Sequence, residues 1–484
     1  MRYTVSFGLG LILLVSAAPL LARQDPVPKL VRDIRPGPQS SLPSNLIAVG
    51  DRLCFTADDG VHQTEWWTSD GTEAGTRLVK DLKRNGRYLE IGEKQRAVLN
   101  GVLYFTFTDE DAELWRTDCT MQGTYRVKDI SPGPRGSHPA ELTVLGKQLF
   151  FVANDGTRGF ELWKSDGSAK GTVPVRSAPA VPAPAKSARN SGTAPGVHGK
   201  PSARQQSAVA GALGYAAAAV GTGPRPSELH AVGGHLVYLF DDGVSGTELW
   251  TSDGTDAGTQ LLKETRPGRD SISPTRFQSA GRYLYFRSLL SSPQLELWRT
   301  DGSAEGTGLV KRISGDWSDG GWEQASFGDS IVFSLQKDAR NQLWWSDGSD
   351  AGTRPLVASG AASVAATDKG LFILTNLGQG AESALYALRD GNLQRVTAFP
   401  KSPKNPTYTQ MRAVSGRLFF EAVDSQGNGR ELWTSDGTAE GTFKLGSFGG
   451  LGEYGGRSFA AIGQRVYFTA ARTDGDVELW SVDF

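Results

Sequence analysis

The 484-residue chain is poor in the residues that most often carry chemistry. It has 2 cysteines, 5 histidines and 3 methionines. The histidines, at positions 62, 138, 198, 230 and 235, form no H-E-x-x-H or similar ligand pair, so no metal site is written in their spacing. There is no G-x-S-x-G elbow and no phosphate-binding glycine loop, which removes the commonest signatures of acyl and phosphoryl transfer. Neither charge sign dominates, with 51 Lys plus Arg against 52 Asp plus Glu. No basic stripe points to nucleic acid, and no acidic block reads as a tail. After the first residues no apolar run reaches the roughly 20 residues of a membrane span.

What remains is glycine (60), tryptophan (12) and short apolar bursts between turns. The N-terminus reads as an export signal over residues 1–22. Arg2 supplies a charged start, and Val5 to Ala22 is apolar with small residues near its end. No Cys lies there for a lipid anchor. The expected location is therefore secreted or periplasmic, with no membrane span once the signal is removed. Cys54 and Cys119 have the option of pairing in an oxidising compartment. They stand in non-equivalent positions of neighbouring repeats, which favours two unpaired thiols, and Cys54 lies within an apolar strand where a reactive thiolate is not expected.

One phrase recurs. "ELWKSDGSAKGT" at Glu161 returns as "ELWTSDGTDAGT" at Glu248, "ELWRTDGSAEGT" at Glu296 and "ELWTSDGTAEGT" at Glu431. Its Trp falls at Trp67, Trp115, Trp163, Trp250, Trp298, Trp344, Trp433 and Trp480, and Tyr386 takes the place in a worn copy, "ALYALRDGN". Successive spacings are 48, 48, 87, 48, 46, 42, 47 and 47. The odd interval contains residues 177–226, an Ala/Pro/Ser/Gly-rich stretch that cannot bury enough surface to order itself. It is read as a disordered insertion in a single domain spanning 23–484.

Each repeat holds four apolar bursts bounded by Gly, Asp or Pro, which are strand signals. Adjacent residues within a burst are both apolar, so both faces of each small sheet must be covered. Sheets stacked radially do this. The fold expected is all-β, a β-propeller of four-stranded blades. Nine repeats are counted, or eight blades if the Tyr386 unit fails. The final copy stops after its third strand, and "PKLVRDI" near the start is a lone fourth strand. Pairing the two closes the ring. Charged positions in the fourth strands ("RLVKDL", "YRVKDI") suit an exposed sheet edge.

The phrase itself has a turn-making reason at every position. Leu and Trp point to opposite faces, so each packs on a different neighbour. Asp70, Asp166, Asp253, Asp301, Asp347 and Asp436 accept from the backbone of their own turn, and the Gly after each takes a positive φ. A second acidic set between strands two and three, Asp58, Asp59, Asp241 and Asp242, is a turn that also offers a calcium alternative. No other cofactor is expected. At the link after Ser314, Trp317 and Trp322 lie among Asp316 and Asp319. Exposed Trp beside carboxylates suits a sugar or a peptide, while buried Trp would merely cap the core.

On these motifs the chain resembles the ELWxxDGT repeat proteins of bacteria, apart from the insertion and two departures, "TDCTMQGT" with Cys119 in the Gly place, and "ALYALRDGN". The resemblance implies export and a propeller-like array, with no catalytic residues to carry over. The expected function is an exported non-catalytic module binding or scaffolding an extracellular or periplasmic glycan or protein. The alternative is an exported, glycosidase-like hydrolase with its site in the central channel, where two carboxylates on one face would be needed.

Overall fold

The computed structural model describes residues 25–484 except 83–91, 109–110, 176–223, 267–272, 290–293, 316, 318–322, 338–339, 358–360, 376–382, 390–391, 400–410, 424–429, 450–458 and 473–474. The proposed signal, and all but the last three residues of the proposed insertion, lie outside the described residues. Those last residues, 224–226, belong to the ring. The Arg225 guanidinium lies 4.3 Å from the centroid of Phe160.

The chain forms nine four-stranded antiparallel sheets arranged as a β-propeller. Blade 1 is made of Ser44–Val49, Arg52–Asp58, Thr64–Ser69 and Arg77–Lys80. Blades 2 to 8 repeat this plan, with third strands at Ala112–Thr117, Phe160–Ser165, Thr247–Ser252, Gln294–Thr300, Arg340–Ser346, Ala384–Arg389 and Arg430–Ser435. The Tyr386 copy is a complete blade, so the ring has nine blades and not eight. Blade 9 joins Phe459–Ile462, Arg465–Ala471 and Val477–Asp483 to the N-terminal strand Lys29–Arg32, with Leu30 opposite Trp480. The predicted seam is thus present.

The core is nine apolar clusters, one between each pair of adjacent blades. The Leu–Trp alternation builds them. Leu162 packs towards blade 4 and Trp163 towards blade 2. Leu249 and Trp250 do the same for blades 5 and 3. Two further indoles donate to the Glu two residues earlier, Trp298 to Glu296 and Trp433 to Glu431, each at 3.0 Å.

The D-G turn explains the rest of the phrase. In blade 3, Asp166 Oδ1 accepts from the Ser168 N–H and hydroxyl, Ser168 Oγ accepts from Gly171 N–H, and Ser165 and Thr172 hydroxyls meet at 2.8 Å. A Cβ on Gly171 would lie 2.1 Å from the Asp166 carboxylate, so only glycine fits. The first glycine of the turn, at φ +94° in blade 3, leans on Tyr104 of blade 2. Gly71 meets Tyr467, and Gly348 meets Tyr285, in the same way.

This docking corrects two sequence readings. Cys119 holds the left-handed glycine position of blade 2, at φ 65°, and Cys54 holds the matching second-strand position of blade 1. They form a disulfide with Cα atoms 5.8 Å apart. Their non-equivalence within the repeat, taken as an argument against pairing, is the geometry that brings them together, because each turn rests on the second strand of the blade before it. The charged fourth-strand residues, read as edge protection, instead latch one blade to the next. Arg32 donates to the carbonyl of Thr76, Lys80 to Thr124 at 2.8 Å and Lys128 to Thr172 at 2.7 Å, always 44 residues ahead. Arg32 and Lys128 also lie over the Trp67 and Trp163 rings.

Candidate functional site

The first strand of each blade faces its counterparts around the inside of the ring, where the strands of neighbouring blades touch. Several of these strands begin with a bulge. Asn45, Glu141, Glu228 and Arg276, in blades 1, 3, 4 and 5, all have positive φ beside a register shift. A non-glycine residue in that region is strained, and such positions recur at functional sites.

Two of them converge. Lys94 lies in the short turn Glu93–Gln95 that precedes the first strand of blade 2. Its Nζ is 3.3 Å from Glu141 Oε2 of blade 3 and 2.7 Å from Glu228 Oε2 of blade 4. Both oxygens contact one ammonium, so they stand within about 6 Å of each other. Glu141 Oε2 also accepts from the Leu229 N–H at 3.2 Å. His230 Nε2 lies 3.6 Å from Glu228 Oε2, an ion-pair distance just beyond a hydrogen bond. Its ring stacks on Phe277 of blade 5 with centroids 4.8 Å apart. Four consecutive blades therefore meet at one place on the channel wall. The contact with His230 does most to hold the Glu228 carboxyl down at about 2; burial opposes it and Lys94 adds to it. Glu228 is a carboxylate at every ordinary pH.

None of these residues belongs to the recurring phrase. Glu141 and Glu228 hold the same place in the first strands of consecutive repeats, 87 residues apart like Trp163 and Trp250, while Lys94 lies in a turn outside that pattern. Only the circular arrangement brings them together.

The residues singled out from sequence fall elsewhere. Trp317 is partly buried at the interface of blades 5 and 6, edge-on to Trp344 at 5.9 Å, with Lys337 Nζ over its ring. Trp322, Asp316 and Asp319 lie outside the described residues. Asp58 accepts from Gly60 N–H and pairs with Arg35 at 3.0 Å. Asp59 accepts from Val61 and His62 N–H and meets the His62 ring at 2.7 Å. Asp241 accepts from Gly243 N–H, and Asp242 from Val244 and Ser245 N–H. These four carboxylates tie down their own turns.

Among the described residues, two other acidic groups gather close enough to hold a cation, Asp33 with Asp476 and Glu478, and Asp111 with Glu113 and Asp129. Both occupy the same place in their blades, where the third strand starts and the fourth ends. A guanidinium lies against each. Arg472 reaches Asp33 at 2.7 Å and Asp476 at 3.4 Å; Arg126 reaches Asp111 at 3.0 Å and Asp129 at 3.7 Å. The glutamates brace the link to the next blade. Glu478 accepts from Ile34 N–H, Ser41 N–H and the Ser41 hydroxyl, and Glu113 from Ile130, Ser131 and Ser137.

No family model matches the chain. No curated protein matches it either. Among solved structures it is similar in fold to the dihydro-heme d1 dehydrogenase NirN, with a TM-score of 0.41 at 14% identity, covering 84% of this chain and 74% of that one. It is similar to a puromycin hydrolase, with a TM-score of 0.37 at 12% identity, covering 78% of this chain and 57% of that one. It is also similar to the β-propeller domain of the trilobed protease of Pyrococcus furiosus, with a TM-score of 0.33 at 10% identity, covering 71% and 95%. The chain spans about half the length of the puromycin hydrolase chains. The expectation of a non-catalytic module is set aside, since the neighbours named are a dehydrogenase, a hydrolase and the propeller domain of a protease. A likeness of fold at this identity assigns no reaction to this chain, and the reaction must be argued from its own residues.

Proposed function

We propose that this propeller is an exported hydrolase acting on glycosides at the channel wall. The observation that carries the reading is the pair of carboxylates, Glu141 and Glu228, presented by adjacent blades within about 6 Å of each other. Retaining glycosidases place their two carboxyl groups about 5–5.5 Å apart. A carboxyl held at about 2 is a poor proton donor, so Glu228 takes the nucleophile's role. It attacks the anomeric carbon, and Glu141, across the gap, takes the acid–base role that delivers a proton to the departing oxygen. Glu141 then removes a proton from water, and the hydroxide so formed releases the sugar from Glu228. His230, stacked on Phe277, fixes the nucleophile's position. The disulfide supports export, because such bonds persist in oxidising compartments.

The test is a panel of chromogenic glycosides. Wild type should release the chromophore with retained configuration. Glu228→Gln and Glu141→Gln should each lose at least about a hundredfold in kcat, within the range ascribed to acid–base and nucleophilic groups, while melting as wild type does. Azide should rescue Glu228→Ala by forming a glycosyl azide. An inert wild type, or a Glu228→Gln variant of undiminished rate, overturns the reading.

A further inference from the structure

Eight of the nine fourth strands follow their own third strand directly in the chain. The ninth, Lys29–Arg32, comes from the other end of the molecule, and only non-covalent contacts hold it to blade 9. It is paired at three positions across a bulge, Lys29 with Ser481, Leu30 with Trp480 and Arg32 with Leu479. The residues that follow also bind blade 9. Ile34 N–H, Ser41 N–H and the Ser41 hydroxyl donate to the Glu478 carboxyl, Arg472 reaches Asp33 at 2.7 Å, and Ser40 Oγ accepts from Val477 N–H at 2.8 Å. From Ser44 onward the chain is blade 1, where the Ser44 and Thr56 hydroxyls meet at 2.8 Å. The passage between the two is Leu42–Pro43. It is strained. Leu42 has φ +46° and is 43% exposed, and a bulky residue before proline belongs in extended backbone instead. His138 and Ser273 hold the same conformation before Pro139 and Pro274, but both lie within the continuous chain. Of the three, only Leu42 stands between a detachable segment and the rest of the ring.

We propose that the seam is an interaction surface for a second copy of this chain, in which residues 29–41 of each copy complete blade 9 of the other and Leu42–Pro43 is the hinge. A short hinge under strain invites exchange of the element it carries. The exchanged segment makes the same contacts with blade 9 of its partner as with its own, so those contacts are neither gained nor lost. What changes lies at the hinge. The bond from Asp58 N–H to the Ser41 carbonyl, at 2.9 Å, is given up, and Leu42 leaves its left-handed conformation. The two effects are of similar size, so concentration decides between the closed single ring and the exchanged pair. The exchange is reciprocal, which makes the pair two-fold symmetric and closed rather than an open chain of rings. The proposal stands apart from the hydrolase reading and does not depend on it.

Crosslinking of whole chains tests this. Two single variants, Lys29→Cys and Ser481→Cys, are mixed, concentrated and mildly oxidised without denaturant. Their new thiols face each other only when the first strand of one copy pairs with blade 9 of the other. A disulfide between positions 29 and 481 of different copies, read by mass spectrometry of the joined peptides, should appear in a dimer fraction that rises with concentration. Leu42→Gly should lower that fraction about tenfold, because glycine takes the positive φ without strain. The double variant Lys29→Cys/Ser481→Cys should close within a single copy when dilute, which shows that the seam is folded and the pair of thiols well placed. Mixed copies that never join, although the double variant closes, overturn the proposal. Joining that Leu42→Gly leaves undiminished overturns the hinge as its cause. A double variant that stays open removes the seam itself, and the exchange with it.

Discussion

Cys54 of blade 1 and Cys119 of blade 2 are covalently joined where other blades place an aromatic ring against a glycine, as Tyr104 does against Gly167. The bond substitutes for a packing contact at one of nine interfaces. Its second partner keeps the backbone conformation of the glycine it replaced, at φ 65°, and that conformation is costly for a side chain.

The first prediction follows from this balance. Cys119→Ser should lower stability by about 2–4 kcal/mol, the usual worth of a disulfide. Cys119→Gly should lose less, because it restores the residue the turn prefers. Urea unfolding of the two variants, beside wild type with and without reductant, orders them. Wild type unchanged by reduction contradicts the bond's contribution.

Ring closure gives the second. Val31 and Ile34 are buried between blades 9 and 1. Ile34→Ala should cost about 2–4 kcal/mol, and deleting residues 25–32 should cost more, because it exposes the edge of blade 9. Thermal melting measures both. An unchanged melting temperature after the deletion means that the circle is not sealed by this strand.

The third concerns pH. Burial pushes the Glu478 carboxyl up to about 7, against the hydrogen bonds from Ser41 and Ile34. The folded protein thus holds this proton more tightly than the unfolded chain, whose carboxyl lies near 4.5. Its contribution to stability is complete below that lower value and fades as pH rises through about 7. Denaturant unfolding from pH 4.5 to 8 should show the decline in wild type and a flatter curve in Glu478→Gln. Parallel curves count against it.

The fourth tests the latches. Lys128→Met keeps the aliphatic stem but removes the ammonium that bonds the Thr172 carbonyl. The loss should be about 1–2 kcal/mol, typical of a partly buried charge-assisted bond. Lys128→Arg should recover most of it. A Met variant as stable as wild type would make the contact incidental.

The blades were legible in the sequence because each must present apolar residues on two faces, and the Leu162–Trp163 pair states this directly. The seam was legible because a lone fourth strand has only one unfinished sheet to join. The disulfide was not, because repeat alignment compares equivalent positions, whereas contact between blades joins non-equivalent ones. Lys128 misled for the same reason, since its partner lies in the following copy. The channel cluster left only a partial trace. Glu141 and Glu228 hold the same place in the first strands of blades 3 and 4, in Pro-Ala-Glu-Leu and Pro-Ser-Glu-Leu, but Lys94 comes from a turn before the strand of blade 2, and only curvature makes the three neighbours.

The forward reach of Arg32, Lys80 and Lys128 has a wider consequence. Blades 9, 1 and 2 each grip their successor in this way, as blade 4 does through Lys263 and the Thr307 carbonyl, so the assembly has a sense of rotation. Any module carrying both halves of the grip can be spliced in or dropped out without leaving a stranded partner. Gene duplication can therefore alter the circumference of such a wheel in whole steps, and the bore it encloses widens or narrows with each one.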